Sequence, residues 1–254
     1  MKILVTAGGT SEKIDEIRKI SNISTGRLGA LIADAFIRKA NADITFVCGE
    51  NSVIPLGMPV KIIKVGSVNE LTYALASCFK QSRFDAVIHS MAVSDYSVRG
   101  TVSADDLSSA IAETAVKKFS NELNDMKAII YSAIQQSMKN ASEHKKISSD
   151  IENLVIYMEK TPKVINMIKR MQPETILVGF KLLASAGADK LFDTGHELLV
   201  KSDCDFVFAN DLDDIEGDKH EGILIEPDRS YQRLYSKQDI ARVIADKVLE
   251  KAGA

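Results

Sequence analysis

The feature that most constrains the fold is a regular alternation of short apolar runs with amphipathic segments. Runs rich in β-branched residues lie at 3–6, 43–48, 60–65 and 85–92, and each has the length of a strand. The segments between them place apolar residues at helical spacing, from about Thr25 onward and again over 67–81. Because parallel strands need crossover connections of this kind, the pattern predicts an α/β fold with a mostly parallel sheet and helices on both faces.

The chain changes character after Tyr96 and then returns to the first pattern. The segment 104–144 is rich in Ala, Ser, Lys and Glu and predicts a helical hairpin or flap, although a solvated helical excursion without a role fits the same composition. Further strands are predicted at 154–158, 175–180 and 206–209, a hairpin at 223–225 and 233–235, and helices at 163–171, 188–201 and from Ser236 onward. We therefore predict one Rossmann-like domain over 1–254 with a helical insertion at about 97–145.

Composition excludes several classes of partner. The formal net charge is −3, with no basic cluster typical of a protein that binds nucleic acid or an anionic membrane. No apolar run reaches the length of a membrane span, so we expect a cytoplasmic protein. The cysteines are far apart and fit neither a metal site nor a disulfide framework, and the histidines do not pair at metal spacing. We predict that the protein itself holds no metal.

The loop after the first predicted strand is the first place to look for ligand chemistry. Ligands of open parallel sheets bind beyond the carboxyl ends of the strands, and there Gly8 and Gly9 permit a close approach of backbone to ligand. The run Ser24, Thr25 and Gly26 stands where a helix N-terminus offers amide donors to an anion, with Ser24 or Thr25 as the predicted cap. The long polar connection between Thr10 and Ser24 is typical of a functional loop. Neither the dinucleotide fingerprint nor the Walker loop is present.

Two other functions fit a fold of this kind. An NAD(P)-dependent reductase could use Glu50 to hold ribose hydroxyls, but no Tyr is followed four residues later by the Lys that a short-chain reductase needs. A non-catalytic nucleotide-binding module would leave the polar residues gathered at the strand ends unexplained.

Several sequence blocks resemble the phosphopantothenate–cysteine ligase family. They occur in the family's order from residue 3 to residue 211, and the chain carries no flavin-containing decarboxylase half, so it resembles the stand-alone bacterial form. The blocks are Val5-Thr-Ala-Gly-Gly-Thr10, Arg18 with Ile20-Ser21-Asn22, Ala92-Val-Ser-Asp-Tyr96, Lys146-Ile-Ser-Ser149, Lys160-Thr-Pro162, Val178-Gly-Phe180 and Ala209-Asn-Asp211.

The resemblance implies a ligase of coenzyme A biosynthesis that acts in two half-reactions. The carboxylate of 4′-phosphopantothenate attacks the α-phosphate of CTP or ATP, with CTP favoured because most bacterial members use it. The amine of L-cysteine then displaces the nucleotide from the acyl nucleotide. Phosphoryl chemistry of this kind depends on positioning and positive charge more than on a nucleophilic side chain. We expect Mg²⁺ to be held mainly by the nucleotide phosphates, and the protein to be a homodimer.

The resemblance also implies roles for individual residues. Asn22 is expected to donate a hydrogen bond to the reacting carbonyl, and Lys146 to clamp the triphosphate; Asn22 also suits a simple turn. Arg18 and Asn210 are expected to bind substrate, although a surface Arg and a turn Asn explain them as well. The remaining nucleotide-binding residues are predicted to be Gly8, Gly9, Ser24, Thr25, Gly26, Ala92, Asp95, Lys160, Phe180 and Lys201. A core position explains Phe180 equally well.

Two departures from the family pattern affect the nucleotide contacts. Some bacterial members carry two lysines about one turn apart on the helix before the Ala-Asn-Asp block, whereas this chain has Lys201 and, at the earlier place, Glu197. Serines also replace lysines in the loop that begins at Lys146.

Overall fold

The computed structural model describes residues 1–140 and 147–253, which form two compact units. The first unit comprises Met1–Thr10, Asn22–Val93 and Lys163–Ala254. The second comprises Ser11–Ser21 and Ser94–Pro162. The second unit therefore extends beyond the helical insertion predicted at about 97–145 and takes in the loop before Asn22 as well.

A large sheet forms the centre of the first unit. Its strand order is β11-β12-β10-β9-β6-β1-β4-β5, with β13 paired to β12. The pairs from β10 to β5 are parallel, and β11, β12 and β13 form antiparallel pairs at the other edge. The strands are β1 (Lys2–Ala7), β4 (Asp43–Gly49), β5 (Val60–Val65), β6 (Ala86–His89), β9 (Ile176–Leu183), β10 (Phe206–Asp211), β11 (Ile215–Glu216), β12 (Lys219–Ile225) and β13 (Tyr231–Ser236).

Helices cover both faces of this sheet. The helices are α1 (Arg27–Ala40), α2 (Val68–Gln81), α5 (Ile165–Met171), α6 (Ala188–Lys201) and α7 (Lys237–Ala252). One core cluster contains apolar residues of α1 and α7, and the other contains those of α2, α5 and α6. The central strands β4, β1, β6, β9 and β10 divide their buried side chains between these two clusters, which is why their apolar runs are nearly continuous. The predicted fold class is confirmed.

Serine side chains cap two helices of the first unit, α2 and α7. The hydroxyl of Ser67 accepts a hydrogen bond from the amide of Glu70, and that of Ser236 accepts one from the amide of Asp239. The prediction that Ser24 or Thr25 caps α1 is wrong. The cap position is Gly26, at a φ of 74°, with no side-chain cap hydrogen bond, because the chain enters the helix through the left-handed region.

The second unit contains a two-stranded antiparallel ribbon, a helical hairpin and a short β-hairpin. The ribbon pairs β7 (Tyr96–Ser103) with β8 (Leu154–Lys160), and α3 (Ala104–Lys117) and α4 (Leu123–Asn140) follow β7. The two helices confirm the helical hairpin predicted from Ala104. The strand predicted at 154–158 is confirmed within β8, but it pairs with β7 rather than with the large sheet, and the sequence did not predict β7. The β-hairpin joins β2 (Ser11–Lys13) to β3 (Lys19–Ser21).

Within the part of the chain that the structure describes, none of the helices combines the length and the apolar character that crossing a membrane requires.

Candidate active site

Gly8 and Gly9 form a tight turn at the carboxyl end of β1. Gly8 has a φ of 82°, and a Cβ there would lie 1.8 Å from Oγ of Ser52. Gly9 has no such backbone strain, but a Cβ on it would lie 2.7 Å from the backbone oxygen of Asn22. Both positions therefore need glycine, the first for its conformation and the second for the close approach of Asn22.

The N-terminus of α1 lies against this turn. A Cβ on Gly26 would lie 3.1 Å from the amide nitrogen of Gly8. The first intrahelical bond runs from the amide of Ala30 to the carbonyl of Gly26, and the cap residue Gly26 supplies no side-chain acceptor. Oγ1 of Thr25 accepts from the amide of Arg27 over a long 3.4 Å. The helix start carries partial positive charge and directed N–H donors, which suit a phosphate group. Ser24 is half-buried beside it, and Thr25 is exposed.

Asn22 is fixed at the same edge of the sheet. Its Nδ2 donates to the carbonyl of Ala92 over 2.8 Å, and its amide donates to the carbonyl of Thr10 over 3.1 Å. Ala92 is fixed in turn, since its amide donates to the carbonyl of Gly8 over 2.8 Å. One carboxamide N–H of Asn22 is thus used as an anchor, which leaves the second N–H and Oδ1 for a ligand.

Phe180 and Asn210 stand on the α1 face of the sheet at the carboxyl ends of β9 and β10. Phe180 is half-buried, and its ring centroid lies 5.8 Å from that of Phe208, its register partner in β10. Asn210, which follows Phe208 by two residues on the same face, is buried. The next residue, Asp211, binds the amides of Ser185 and Ala186, and these hydrogen bonds, the one from Ala186 most of all, hold its pKa below the usual range. Asp211 therefore fixes the loop between β9 and α6.

Lys201 lies apart from these residues. It is the last residue of α6, which returns from the carboxyl end of β9 to the amino end of β10. That path places it at the sheet edge opposite Gly8, Ala92 and Asn210. A nucleotide-binding role for Lys201 stays a prediction, and this placement does not support it.

In the second unit, a carboxylate-centred turn holds Arg18. Oδ1 of Asp15 accepts from the amides of Ile17 and Arg18 over 2.8 and 2.7 Å, and Oδ2 accepts from the amide of Ile147 over 3.2 Å. These backbone hydrogen bonds, the one from Ile17 first, hold the pKa of Asp15 below its usual range. Nη2 of Arg18 donates to the carbonyl of Ile147 over 3.2 Å, so two blocks that are distant in sequence meet here. The predicted clamp, Lys146, lies outside the described residues.

The second unit also brings together the blocks around Asp95 and Lys160. Lys160 is the register partner of Tyr96, and the amide of Thr161 donates to the carbonyl of Asp95 over 2.9 Å. The hydroxyl of Thr161 donates to the carbonyl of Ser94 over 2.6 Å. Both Asp95 and Lys160 are exposed.

Comparison with known families matches nearly the whole chain to one model. The model is described as the DNA/pantothenate metabolism flavoprotein C-terminal domain, and it matches residues 1–106 and 101–252.

The chain belongs to this family.

The curated relatives of this member of the flavoprotein C-terminal domain family are longer proteins. One is the coenzyme A biosynthesis bifunctional protein CoaBC of Thermococcus kodakarensis, which is 27% identical over 249 residues, 97% of this chain and 50% of the relative. The CoaBC protein of Methanocaldococcus jannaschii is 25% identical over 251 residues, again 97% of this chain and 50% of the relative. The chain thus spans about half the length of the curated relatives it matches.

A solved structure resembles this family member along its whole length. The crystal structure of the DNA/pantothenate metabolism flavoprotein from Streptococcus pneumoniae has a TM-score of 0.80 and 31% identity, and the match covers 99% of both chains.

Ser52 was missed by sequence reasoning. It lies under the glycine turn, with its hydroxyl 3.5 Å from the carbonyl of Ala7. It belongs to an unremarkable polar loop and gives no signal in the sequence. In the second unit, Asp15 belongs to the polar connection predicted to be functional, but the turn that it organises around Arg18 was not predicted. Its carboxylate stands two and three residues before the amides it binds, which is the spacing of an Asx turn.

The cysteines and acidic residues complete the inventory of reactive groups. All three cysteines are free and buried, and burial raises the pKa of each thiol, that of Cys204 to about 12. In the described ranges, no three His, Cys, Asp or Glu side chains stand close enough together to hold a metal ion. In the first unit, the glycine turn, the start of α1 and Asn22 offer amide and carboxamide donors, an arrangement suited to binding anions and polarising a carbonyl.

Proposed function

We propose that this chain is a phosphopantothenate–cysteine ligase of coenzyme A biosynthesis. A carboxylate oxygen of 4′-phosphopantothenate bonds to the α-phosphorus of a nucleoside triphosphate, and pyrophosphate leaves. The amine of L-cysteine then bonds to the acyl carbon, the nucleoside monophosphate leaves with that oxygen, and the amine loses a proton. The product is 4′-phosphopantothenoyl-L-cysteine.

The observation that carries this proposal is the anchored carboxamide of Asn22 beside the start of α1. Attack on the acyl carbon places negative charge on the carbonyl oxygen, which a fixed neutral donor stabilises. The second N–H of Asn22 supplies such a donor, and the amides at the start of α1 suit the phosphate next to it. Membership of the family supports the proposal, and so does the name of the CoaBC relatives.

A solved complex of a protein with the same fold adds support for the substrate class. A structure of a Cab2 mutant in complex with phosphopantothenate-cysteine has a TM-score of 0.64 to this chain. At 16% identity the likeness shows the fold alone. The compound bound by that protein combines the two substrates of the reaction proposed here, which fits the proposal.

The roles of the other residues follow from their chemistry. We assign the nucleotide phosphates to the α1 start with Gly8, Gly9, Ser24, Thr25 and Gly26, and the base and sugar to Ala92, Asp95 and Phe180. Lys160 and Lys146 supply positive charge for the triphosphate. Arg18 and Asn210 bind the acyl substrate.

Four further features belong to the proposal. The preferred nucleotide is CTP rather than ATP, and Mg²⁺ accompanies it on the phosphates, a mode of binding that needs few protein ligands. The protein acts as a homodimer in the cytoplasm, where a free thiol substrate stays reduced. Light scattering that finds a fully active monomer would contradict the dimer.

The test is a product assay with a panel of nucleotides. The protein is mixed with 4′-phosphopantothenate, L-cysteine, Mg²⁺ and either CTP or ATP, and mass spectrometry follows the products. We expect phosphopantothenoylcysteine, nucleoside monophosphate and pyrophosphate in equal amounts, with CTP the faster substrate. A protein that forms no amide with either nucleotide, but oxidises or binds NADPH, would instead be a reductase.

A further inference from the structure

His89 and Thr6 form a buried pair directly beneath the glycine turn. They are register partners in the adjacent parallel strands β6 and β1, and both are buried. Nδ1 of His89 lies 2.9 Å from Oγ1 of Thr6. Neither residue has been assigned above to substrate or nucleotide, although Thr6 lies within the block Val5–Thr10.

The hydrogen bonds around Thr6 favour one tautomer of His89. The amide of Met91 donates to Oγ1 of Thr6 over 3.3 Å, so this oxygen already acts as an acceptor. The hydroxyl proton of Thr6 still needs an acceptor, and we take Nδ1 of His89 as that acceptor, in which case Nδ1 is unprotonated. Burial lowers the pKa of His89 to about 4, so the ring is neutral near pH 7. The expected form is the tautomer with the proton on Nε2.

Thr6 sets the path of the chain where β6 ends. Its carbonyl accepts from the amide of Ser90 over 3.2 Å and from the hydroxyl of Ser90 over 2.7 Å. With the bond from Met91, Thr6 therefore holds two successive backbone amides after His89. The next residue is Ala92, whose carbonyl accepts from Nδ2 of Asn22.

We propose that His89 is a positioning residue for the ligase reaction, acting through the hydroxyl of Thr6 and the backbone of Met91 and Ala92 to orient the carboxamide of Asn22. The inference rests on the proposed function of Asn22. It adds a buried polar pair that touches no substrate but determines the direction of the Ala92 carbonyl. A displaced carbonyl would displace the carboxamide that it anchors, and misplacement by about 1 Å can cost roughly a hundredfold in rate.

The experiment compares Thr6→Val with Thr6→Ser. Val keeps the shape of Thr but removes the hydroxyl, whereas Ser keeps the hydroxyl and is the matched control. Acyl nucleotide is formed first, cysteine is then added, and its consumption is followed by rapid quench. We expect Thr6→Val to slow the transfer to cysteine about tenfold to a hundredfold, and Thr6→Ser to restore it to within about threefold of wild type.

Variants of His89 provide the second arm. His89→Leu removes the acceptor, whereas His89→Asn keeps an oxygen close to the position of Nδ1. We expect His89→Leu to slow the transfer as Thr6→Val does, His89→Asn to slow it less, and the double variant Thr6→Val with His89→Leu to be no slower than either single variant, because the two residues act as a unit. Additive losses, or transfer by Thr6→Val at the wild-type rate, would overturn the proposal.

A spectroscopic measurement separates this inference from the proposed function. Nitrogen NMR of His89 in the wild-type protein should show an unprotonated Nδ1, and the side-chain amide signals of Asn22 should shift in Thr6→Val but not in Thr6→Ser. A protonated Nδ1, or unmoved Asn22 signals, refutes the positioning pair whether or not the chain is a ligase. Failure of the wild-type protein to form acyl nucleotide, with these NMR results intact, refutes the proposed function and leaves the pair's control of Asn22 established.

Discussion

Replacing Gly9 with Ala displaces Asn22 without altering any functional group. The new Cβ would lie 2.7 Å from the backbone oxygen of Asn22 and 3.1 Å from its Cβ. Non-bonded carbon contacts lie at about 3.5 Å or more, so Asn22 must move by roughly 0.5–1 Å. The hydrogen bond from Nδ2 to the carbonyl of Ala92, 2.8 Å in the native protein, cannot keep its geometry through such a shift.

The size of the effect follows from this displacement. A misplacement of about 1 Å can cost roughly a hundredfold in rate, which corresponds to about 2.7 kcal/mol of transition-state stabilisation. We expect Gly9→Ala to lose about this much in the transfer from acyl nucleotide to cysteine. Overpacking of this kind also lowers the free energy of unfolding by about 1–3 kcal/mol, so rates are measured well below the melting temperature.

The assay forms the acyl nucleotide, adds cysteine and follows the amide by rapid quench and mass spectrometry. The matched control is Gly187→Ala in the same unit, where a Cβ meets nothing within 4 Å and φ is −68°. The control should keep the wild-type rate, and its free energy of unfolding should change by less than about 1 kcal/mol, because the smaller entropy of the unfolded chain with Ala is opposed by the preference for Gly over Ala at the N-cap of α6. A Gly9→Ala protein that transfers at the wild-type rate would show that the position of Asn22 does not control the second half-reaction.

Four further predictions concern single groups. Asn22→Asp should still form acyl nucleotide but fail to pass it to cysteine. Prompt consumption of the acyl nucleotide when cysteine is added would contradict the role of Asn22 as a hydrogen-bond donor. Lys146→Gln should slow pyrophosphate release about a hundredfold, or roughly 3 kcal/mol, and an unchanged rate would place the clamp elsewhere. The buried thiols, whose pKa values are raised by burial, should resist alkylation at pH 8 in the folded protein, and rapid adducts would contradict their burial. Burial lowers the pKa of His89 and of His220 to about 4 in the folded protein. In the unfolded chain their pKa is about 6.5, so between about pH 6.5 and pH 4 the unfolded chain binds more protons than the folded chain. The free energy of unfolding should fall across that window by roughly 3 kcal/mol for each histidine, and His220→Leu should show a shallower fall in denaturant titrations.

Much of the large sheet follows from local sequence. The strand predicted at 60–65 and the helix predicted at 188–201 have those bounds in the structure, because each is a periodic run between clear breaks. The ribbon of the second unit does not follow. Tyr96–Ser103 has Arg99 and Gly100 in its middle and an irregular register with β8, so its identity as a strand depends on a partner more than 50 residues away.

The candidate site divides in the same way. The glycine turn and Asn22 are recognisable because their residue types are needed at fixed places in the chain. The position of Lys201 was not recognisable, since it depends on the direction in which α6 crosses the sheet. The pair of Thr6 with His89 was also missed, because buried polar residues within apolar strands look like ordinary members of those strands until their partners are known.

The most direct test of the account is isotope transfer from the acyl substrate to the nucleotide. 4′-Phosphopantothenate labelled with ¹⁸O in its carboxylate is converted with CTP and cysteine, and the products are weighed by mass spectrometry. An acyl-nucleotide intermediate predicts one ¹⁸O atom in the released nucleoside monophosphate and none in pyrophosphate. Label in pyrophosphate or orthophosphate, or amide formed with no label in the monophosphate, would contradict the reaction proposed for this chain.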